Sequence, residues 1–215
     1  EITLTVVLLI GSGLMARSFL RMQDQKLALR ADGVLTGSVV LPGALYAGDP
    51  ERDAFVGEFR SRLLAMPGVH AAGGVLNLHL GTNRWSMSVQ REGIDRDDNT
   101  DNRNPLVGFN VITPGYLDAV GLPLRRGRDF TEADTRSAGH VALVNEAAAQ
   151  QLWPGQNPLG RRFRFGRDDK RGWYTVVGVV ATVGQHVRKQ GEHTGEVLVP
   201  ITQFSAQTLT WAVRG

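Results

Sequence analysis

The order of apolar and polar positions divides this chain into one long apolar run followed by short alternating or periodic segments. Residues 2–16 (ITLTVVLLIGSGLMA) carry no charge, and Met15, Phe19 and Met22 continue one helical stripe with no Gly or Pro before Ala31. A bilayer crossing takes roughly 20 apolar residues, so the run predicts the end of a membrane-spanning helix that continues as a stalk. Its flank holds Arg17, Arg21, Lys26 and Arg30, which the positive-inside rule alone would place in the cytoplasm. Gly33 breaks the helix, and residues 34–41 predict a strand. Asp49 followed by Pro50 predicts a capped helix start, because the side chain accepts from orphan amides and Pro lacks the unneeded N–H. Phe55, Val56, Phe59, Leu63 and Met66 are the expected buried stripe, Pro67-Gly68 the stop, and residues 69–80 a second strand.

Beyond this strand-helix-strand unit, Trp85, Met87 and Val89 alternate with polar neighbours over residues 84–91, which predicts a strand with one buried face. Residues 106–112 predict another strand, and Thr113-Pro114 opens a short helix carrying Tyr116, Leu117 and Val120. Residues 121–130 read as a turn-rich connection and 131–139 as a polar loop. The apolar strand 141–144 runs into Asn145-Glu146, an N-cap followed by an acid in the first turn. That helix stops at Pro154-Gly155. Residues 161–165, 175–183, 196–200 and 208–213 complete the expected strands.

A chain of 215 residues with 42% hydrophobic content can bury one sizeable core or two small ones. With no cysteine, a disulfide framework, a thiol nucleophile and Cys-based metal sites are excluded. The net charge of +3 is too mild to imply nucleic acid.

Gly11, Gly13 and Ala16 fit the dinucleotide-binding pattern G-x-G-x-x-G/A, in which glycines let the backbone approach a pyrophosphate. The acid that should end the second strand is misplaced, since Asp32 precedes residues 34–41. Asp95, Asp97, Asn99 and Asp101 mimic half of a calcium loop, but Thr100 and Leu106 occupy the diagnostic Gly and Glu places. The five histidines show no metal-ligand spacing on a helix. His79 and His140, both beside strands, are the pair whose meeting in space the sequence leaves open. Glu146 is the one acid at the end of an apolar strand, where it favours the helix dipole. Period two puts Phe163 and Phe165 on one strand face and Arg162 and Arg164 on the other, so the aromatics belong to the core and the arginines face solvent or a partner.

Taken in order, LLIGSGLMARSFLRMQ, MPGV, GFNVITPGYLDAVGLPLRRGRDFTEADT, VALVNEAAAQQLWPGQNPLGRRFRFG, YTVVGVVATV and EVLVP closely resemble the extracytoplasmic core domain of MacB-type ABC transporter permeases, in the branch of long FtsX-like permeases without an ATPase domain of their own. The resemblance implies an α+β fold of two small lobes preceded by the end of a transmembrane helix. Residues 1–30 would be that helix end and the stalk, 31–110 the first part of a porter-like lobe, 111–195 an inserted small α/β lobe, and 196–215 the last part of the porter-like lobe. Ile2, Leu8, Leu9, Ile10, Gly11, Gly13, Leu14, Phe19 and Leu20 would form the membrane and stalk segment, with Arg162 and Arg164 facing a partner. The chain would return to the membrane after Gly215.

The implied function is mechanical, with no catalytic residue, metal or cofactor of its own. A separate cytoplasmic subunit hydrolyses ATP, and the domain couples transmembrane-helix motion to export or extraction of substrate. The implied partners are that ATPase, a periplasmic adaptor and a second permease in a dimer, with no nucleic acid. The implied place is the bacterial cytoplasmic membrane, with the domain on the periplasmic side. The competing readings are a soluble NAD-binding oxidoreductase built on Gly11, Gly13 and Ala16, and a membrane-anchored binding module.

Overall fold

In a computed structural model the described residues are 3, 10–15, 17, 28–30, 32–79, 85–93, 104–166, 172–183 and 195–215. Residues 10–15 are helical, and no helix among the described residues is long and apolar enough to cross a membrane. The membrane and stalk positions Ile2, Leu8, Leu9, Phe19 and Leu20, and the half-calcium loop, lie outside the described residues.

The first half of the chain forms β1 (Val34–Val40), α1 (Asp49–Leu64), β2 (Ala71–Val75), β3 (Trp85–Arg91), β4 (Leu106–Ile112) and α2 (Tyr116–Val120). The second half forms β5 (Leu124–Gly127), β6 (Val141–Asn145), α3 (Glu146–Leu152), β7 (Arg162–Phe165), β8 (Tyr174–Val180), β9 (Glu196–Pro200), a 3-10 turn (Ile201–Gln203) and β10 (Thr208–Arg214). This is an α+β fold, and it has two regions. β4, β3, β7, β8, β6 and β9 pair in that order, and β9 pairs back onto β4, closing a ring. β1, β10 and β2 extend from β4 as an open wing.

The ring closes because alternate residues of its strands are apolar and large enough to fill it, as small barrels require. Val89, Val107, Phe109, Val111, Ala142, Val144, Phe163, Phe165, Tyr174, Val176, Val197 and Val199 share one buried cluster. Phe109 of β4 meets Phe165 of β7 edge-on at 5.2 Å although β3 lies between their strands, and Phe165 meets Tyr174 at 5.1 Å. α3 covers one end of the ring. Its Leu152 carbonyl accepts from Arg91 at 2.7 Å and its Gln151 amide donates to Leu106 O at 3.1 Å.

On the wing, α1 packs Val56 and Phe59 toward Trp211 of β10, with the Phe59 and Trp211 rings at 4.8 Å. α2 packs on the opposite face, where Tyr116, Leu117 and Val120 join Val75 and Ala212. That approach needs Gly73, because a Cβ there would run into the Tyr116 backbone.

Several expectations change. Asp49 does not cap α1: Gly48 is the N-cap, without a side-chain cap bond, and Asp49 is already helical. Its carboxylate turns instead to Arg136 at 2.9 Å, to Arg52 at 3.3 Å and to the Ser205 hydroxyl. Met66 falls beyond the end of α1 and is 55% exposed, so it leaves the buried stripe. The strand expected over 69–80 is only Ala71–Val75, and β5 lies inside the expected turn-rich connection. The Asn145 cap stands as expected, accepting from Ala148 N–H at 2.8 Å.

Candidate functional site: the seam between wing and ring

β2 and β4 share one register pair, Val75 opposite Ile112. Leu76 N–H donates to Val111 O at 2.8 Å and Thr113 N–H to Gly74 O at 2.9 Å beside it. So short a ladder needs help from side chains, and the chain places polar groups there. The Thr113 hydroxyl accepts from Gly74 N–H at 2.8 Å. Asn110, 2% exposed within an otherwise apolar strand, accepts from Asn77 N–H at 3.0 Å and donates to Asn77 O at 2.7 Å. Its amide thereby extends the β2–β4 ladder as a further backbone unit would.

From Asn110 the network runs to Glu196 at the head of β9, whose Oε1 lies 3.4 Å from the amide nitrogen. The other Glu196 oxygen lies 3.3 Å from His79 Nε2, and His79 Nδ1 lies 2.8 Å from Tyr116 Oη. The Tyr116 and His79 rings stack at 5.7 Å. Burial, and then the nearby Glu196 charge, hold the Tyr116 phenol above its ordinary value. It therefore stays protonated and can donate to Nδ1, while Nε2 lies near Glu196 without a hydrogen bond to it. Tyr116 is fully buried, so no substrate reaches its oxygen. The line Tyr116–His79–Glu196 ties α2, the end of β2 and the start of β9 together.

A second tie joins residues 28–33 to Arg214 and Gly215. Gly33, at φ +69°, turns the chain into β1, and its carbonyl accepts from Gly215 N–H at 3.1 Å. Arg214 donates to Arg30 O at 2.7 Å, Asp32 O at 3.0 Å and Ala119 O at 3.1 Å. Arg30 N–H donates to Val120 O at 3.0 Å, and Ala28 and Leu29 pack into the α2-side core. One guanidinium fork thus binds the foot of the predicted stalk to the last strand and to α2.

The loop after β5 closes onto α2. Asp129 accepts from Phe130 N–H at 2.7 Å. Burial first, then Asp118, push its carboxyl up to about 6, against the Phe130 and Gly115 amides and Arg60. Asp134 accepts both arms of Arg128 at 2.7 and 2.8 Å, and buried Gln203 holds Thr135 O, Gly139 O and Val141 N–H.

The residues singled out in the sequence fall elsewhere. Ile10, Gly11, Gly13 and Leu14 lie in the helical stretch 10–15, with Ile10 59% and Leu14 62% exposed. The glycine turn that a dinucleotide site needs is therefore not made. Arg162 pairs with Glu92 at 2.7 Å and Arg164 donates to Gln90 at 2.8 Å, and both guanidinium groups lie over Trp173, at 5.8 and 5.1 Å. His79 and His140 keep separate partners, His140 stacking on Tyr174 at 5.0 Å. Glu146 opens α3 and pairs with Arg125 at 3.5 Å on the exposed side. Asn110, Glu196, His79 and Arg214 were not singled out for a joint role. The available signal was a polar residue inside an apolar run (LVGFNVI) and an acid heading another (EVLVP).

A closed, aromatic-filled ring carrying an open wing that holds both β1 and β10 defines an α+β domain with buried polar ties. The chain belongs to the family of MacB-like periplasmic core domains, whose profile matches residues 2–214. It is 31% identical over 80 residues to the macrolide export ATP-binding/permease protein MacB of Syntrophobacter fumaroxidans, covering 37% of this chain and 11% of that protein. It is 35% identical over 66 residues to the protein of the same name from Aggregatibacter actinomycetemcomitans, covering 31% of this chain and 10% of that protein. The aligned stretches thus span only about a tenth of these relatives. Among solved structures, the periplasmic region of MacB from Actinobacillus actinomycetemcomitans has the same fold, with a TM-score of 0.53 at 16% identity over 87% of this chain and 76% of that one.

Proposed function

We propose that this chain is the extracytoplasmic domain of an ABC transporter permease and that it carries motion, not chemistry. The observation that supports this most is the Arg214 fork, which joins the stalk foot at Arg30 and Asp32 to the last strand and to α2. A displacement of the stalk then reaches the wing, crosses the polar seam at Asn110 and Glu196, and arrives at the ring. In this reading residues 1–30 are the end of a transmembrane helix and its stalk, and a separate cytoplasmic subunit supplies ATP hydrolysis. The domain faces the periplasm of a bacterium, where an adaptor can meet the outer face of β7 at Arg162 and Arg164, and two permeases form a dimer. We read residues 31–110 and 196–215 as the porter-like lobe and 111–195 as its insert. The motion drives export or extraction of the substrate.

The test is a flexible Gly-Ser segment inserted between Met22 and Ala31 of the full-length permease. A random-coil linker transmits no torque, so transport should fall at least ~10-fold while ATP hydrolysis persists and the domain keeps its circular dichroism spectrum. Unchanged transport overturns the reading.

A further inference from the structure

β1 is the outer strand of the wing, and it carries none of the devices that keep sheet edges single. Its sequence, Val34–Val40 (VLTGSVV), has no charge, no proline and no bulge in its register with β10. The hydrogen bonds at its two ends, from Gly215 N–H to Gly33 O and from Leu41 N–H to Gln207 O, fix which groups are used. Bonded and non-bonded pairs alternate in an antiparallel ladder. The odd-numbered residues therefore bond to β10, and the N–H and C=O groups of Val34, Thr36, Ser38 and Val40 point away from the sheet. Among the described residues no other strand pairs with that side. Leu35 is 75% and Val40 65% exposed.

The strand is also nearly its own reverse: VLTGSVV read backward is VVSGTLV. We propose that β1 pairs antiparallel with β1 of a second copy of this chain, about a twofold axis at Gly37. That register sets Thr36 opposite Ser38 of the second copy, Leu35 opposite Val39, and Val34 opposite Val40. Hydroxyl meets hydroxyl and aliphatic meets aliphatic, the cross-strand pairs that stabilise sheets. The outward groups of the even residues then bond to one another, and Gly37 meets Gly37 as a non-bonded pair about 4.5 Å apart between Cα atoms. A Cβ at Gly37 has nothing within 4 Å, so the sheet face over the centre of the contact has room for a side chain at this position.

The symmetry has a consequence for the stalks. A twofold axis perpendicular to the sheet keeps each face on its own side, so the α1 faces of the two copies stay together and the α2 faces stay together. Ala28 and Leu29 pack on the α2 face. Both stalks thus approach the paired sheet from one side, as two copies in one membrane require. This last step rests on reading residues 1–30 as a membrane helix and stalk; the strand pairing does not.

The chain has no cysteine, so single cysteines report the register directly. In the 215-residue chain in detergent micelles, Gly37→Cys should form a disulfide-linked dimer under mild oxidation, at least ~10-fold more than Leu35→Cys, whose nearest counterpart is residue 39. Mixing Leu35→Cys with Val39→Cys should restore the cross-link as a heterodimer. Adding Ser38→Pro to Gly37→Cys should abolish it, because that N–H points outward and the β1–β10 ladder keeps its donors; circular dichroism verifies the fold. Equal yields for G37C and L35C overturn the register. A G37C chain that stays monomeric overturns the self-pairing, including the case in which the edge serves a strand from a different protein. The Gly-Ser insertion leaves β1 untouched, so the two experiments can fail independently.

Discussion

The ring and the wing are cut from the same sheet and share its buried clusters, yet they differ in how far their strands are covered. In the ring the strands have neighbours on both sides, and Phe109, Phe163, Phe165 and Tyr174 are at most 2% exposed. In the wing β1 is bonded on one side, and its burial pattern leaves five of seven positions exposed. The ring is filled by these side chains, and the same buried cluster continues onto Val56, Leu209 and Trp211 of the wing. The wing is contacted by α1 on one face, by α2 on the other, by residues 28–30 and, in our proposal, by a second copy.

The sharpest way to break this contrast is a matched pair of truncations. Phe163→Ala removes a fully buried ring side chain that meets Trp153, Phe165 and Tyr174, and should cost about 3–5 kcal/mol, the range for buried Phe truncation. Leu35→Ala, on the exposed wing strand, should change the stability of the monomeric domain by no more than about 0.5 kcal/mol. Urea unfolding of both variants measures the difference. Comparable losses would mean that wing and ring are stabilised alike.

The seam should fall between these limits. Asn110→Ala leaves Asn77 N–H, Asn77 O and Val111 N–H without their side-chain partner, and orphaned buried groups cost about 1–3 kcal/mol. Amide exchange gives the more specific readout. Protection of the Asn77 and Val111 amides should drop by more than that of the ring amides on β7 and β8. A uniform drop would show that Asn110 supports the whole domain and not the seam.

How much of this was legible in the sequence follows from what kind of force sets each part. Of the ring strands, β7 stood out by alternation, shown by Arg162, Phe163, Arg164 and Phe165, while β6 and β9 stood out as short apolar runs buried on both faces. The helix at Glu146 was legible because its Asn145 cap is a local bond three residues long. The cap expected at Asp49 was not made, because Gly48 takes that place and long-range partners, Arg136 and Ser205, claim the carboxylate. The seam was illegible for the same reason. Asn77 and Asn110 lie 33 positions apart and His79 and Glu196 still further, and nothing in their local sequence records that the fold brings them together. β5 was missed because its Leu-Arg-Arg-Gly has no periodicity and pairs through an irregular register with β8. The family resemblance supplied the fold class from ordered motifs where periodicity alone left the arrangement open.

The smallest expected effect concerns Asp129, which fastens the loop after β5 to α2 near the seam. Its carboxyl is pushed up to about 6, chiefly by burial, from an ordinary value of 3.8. Between those values the folded state binds this proton and the unfolded state does not, so the group's contribution to stability falls as pH rises from about 4 to about 6 and the penalty is complete at pH 7. A shift of two units would carry roughly 3 kcal/mol at full effect. A neutral amide at this position would avoid the buried charge but give up one acceptor facing the Phe130 and Gly115 amides, so Asp129→Asn should gain only about 1 kcal/mol at pH 7. At pH 4 the parent is already protonated, and the advantage should vanish. Urea midpoints of parent and variant at both pH values isolate this one group, since every other carboxylate is common to the pair. A variant less stable than the parent at pH 7 would mean that the ionised carboxylate, through those two amides and Arg60, holds the loop to α2 more strongly than its burial opposes it, and that the seam is fastened by charge at its rim as well as by neutral hydrogen bonds at its centre.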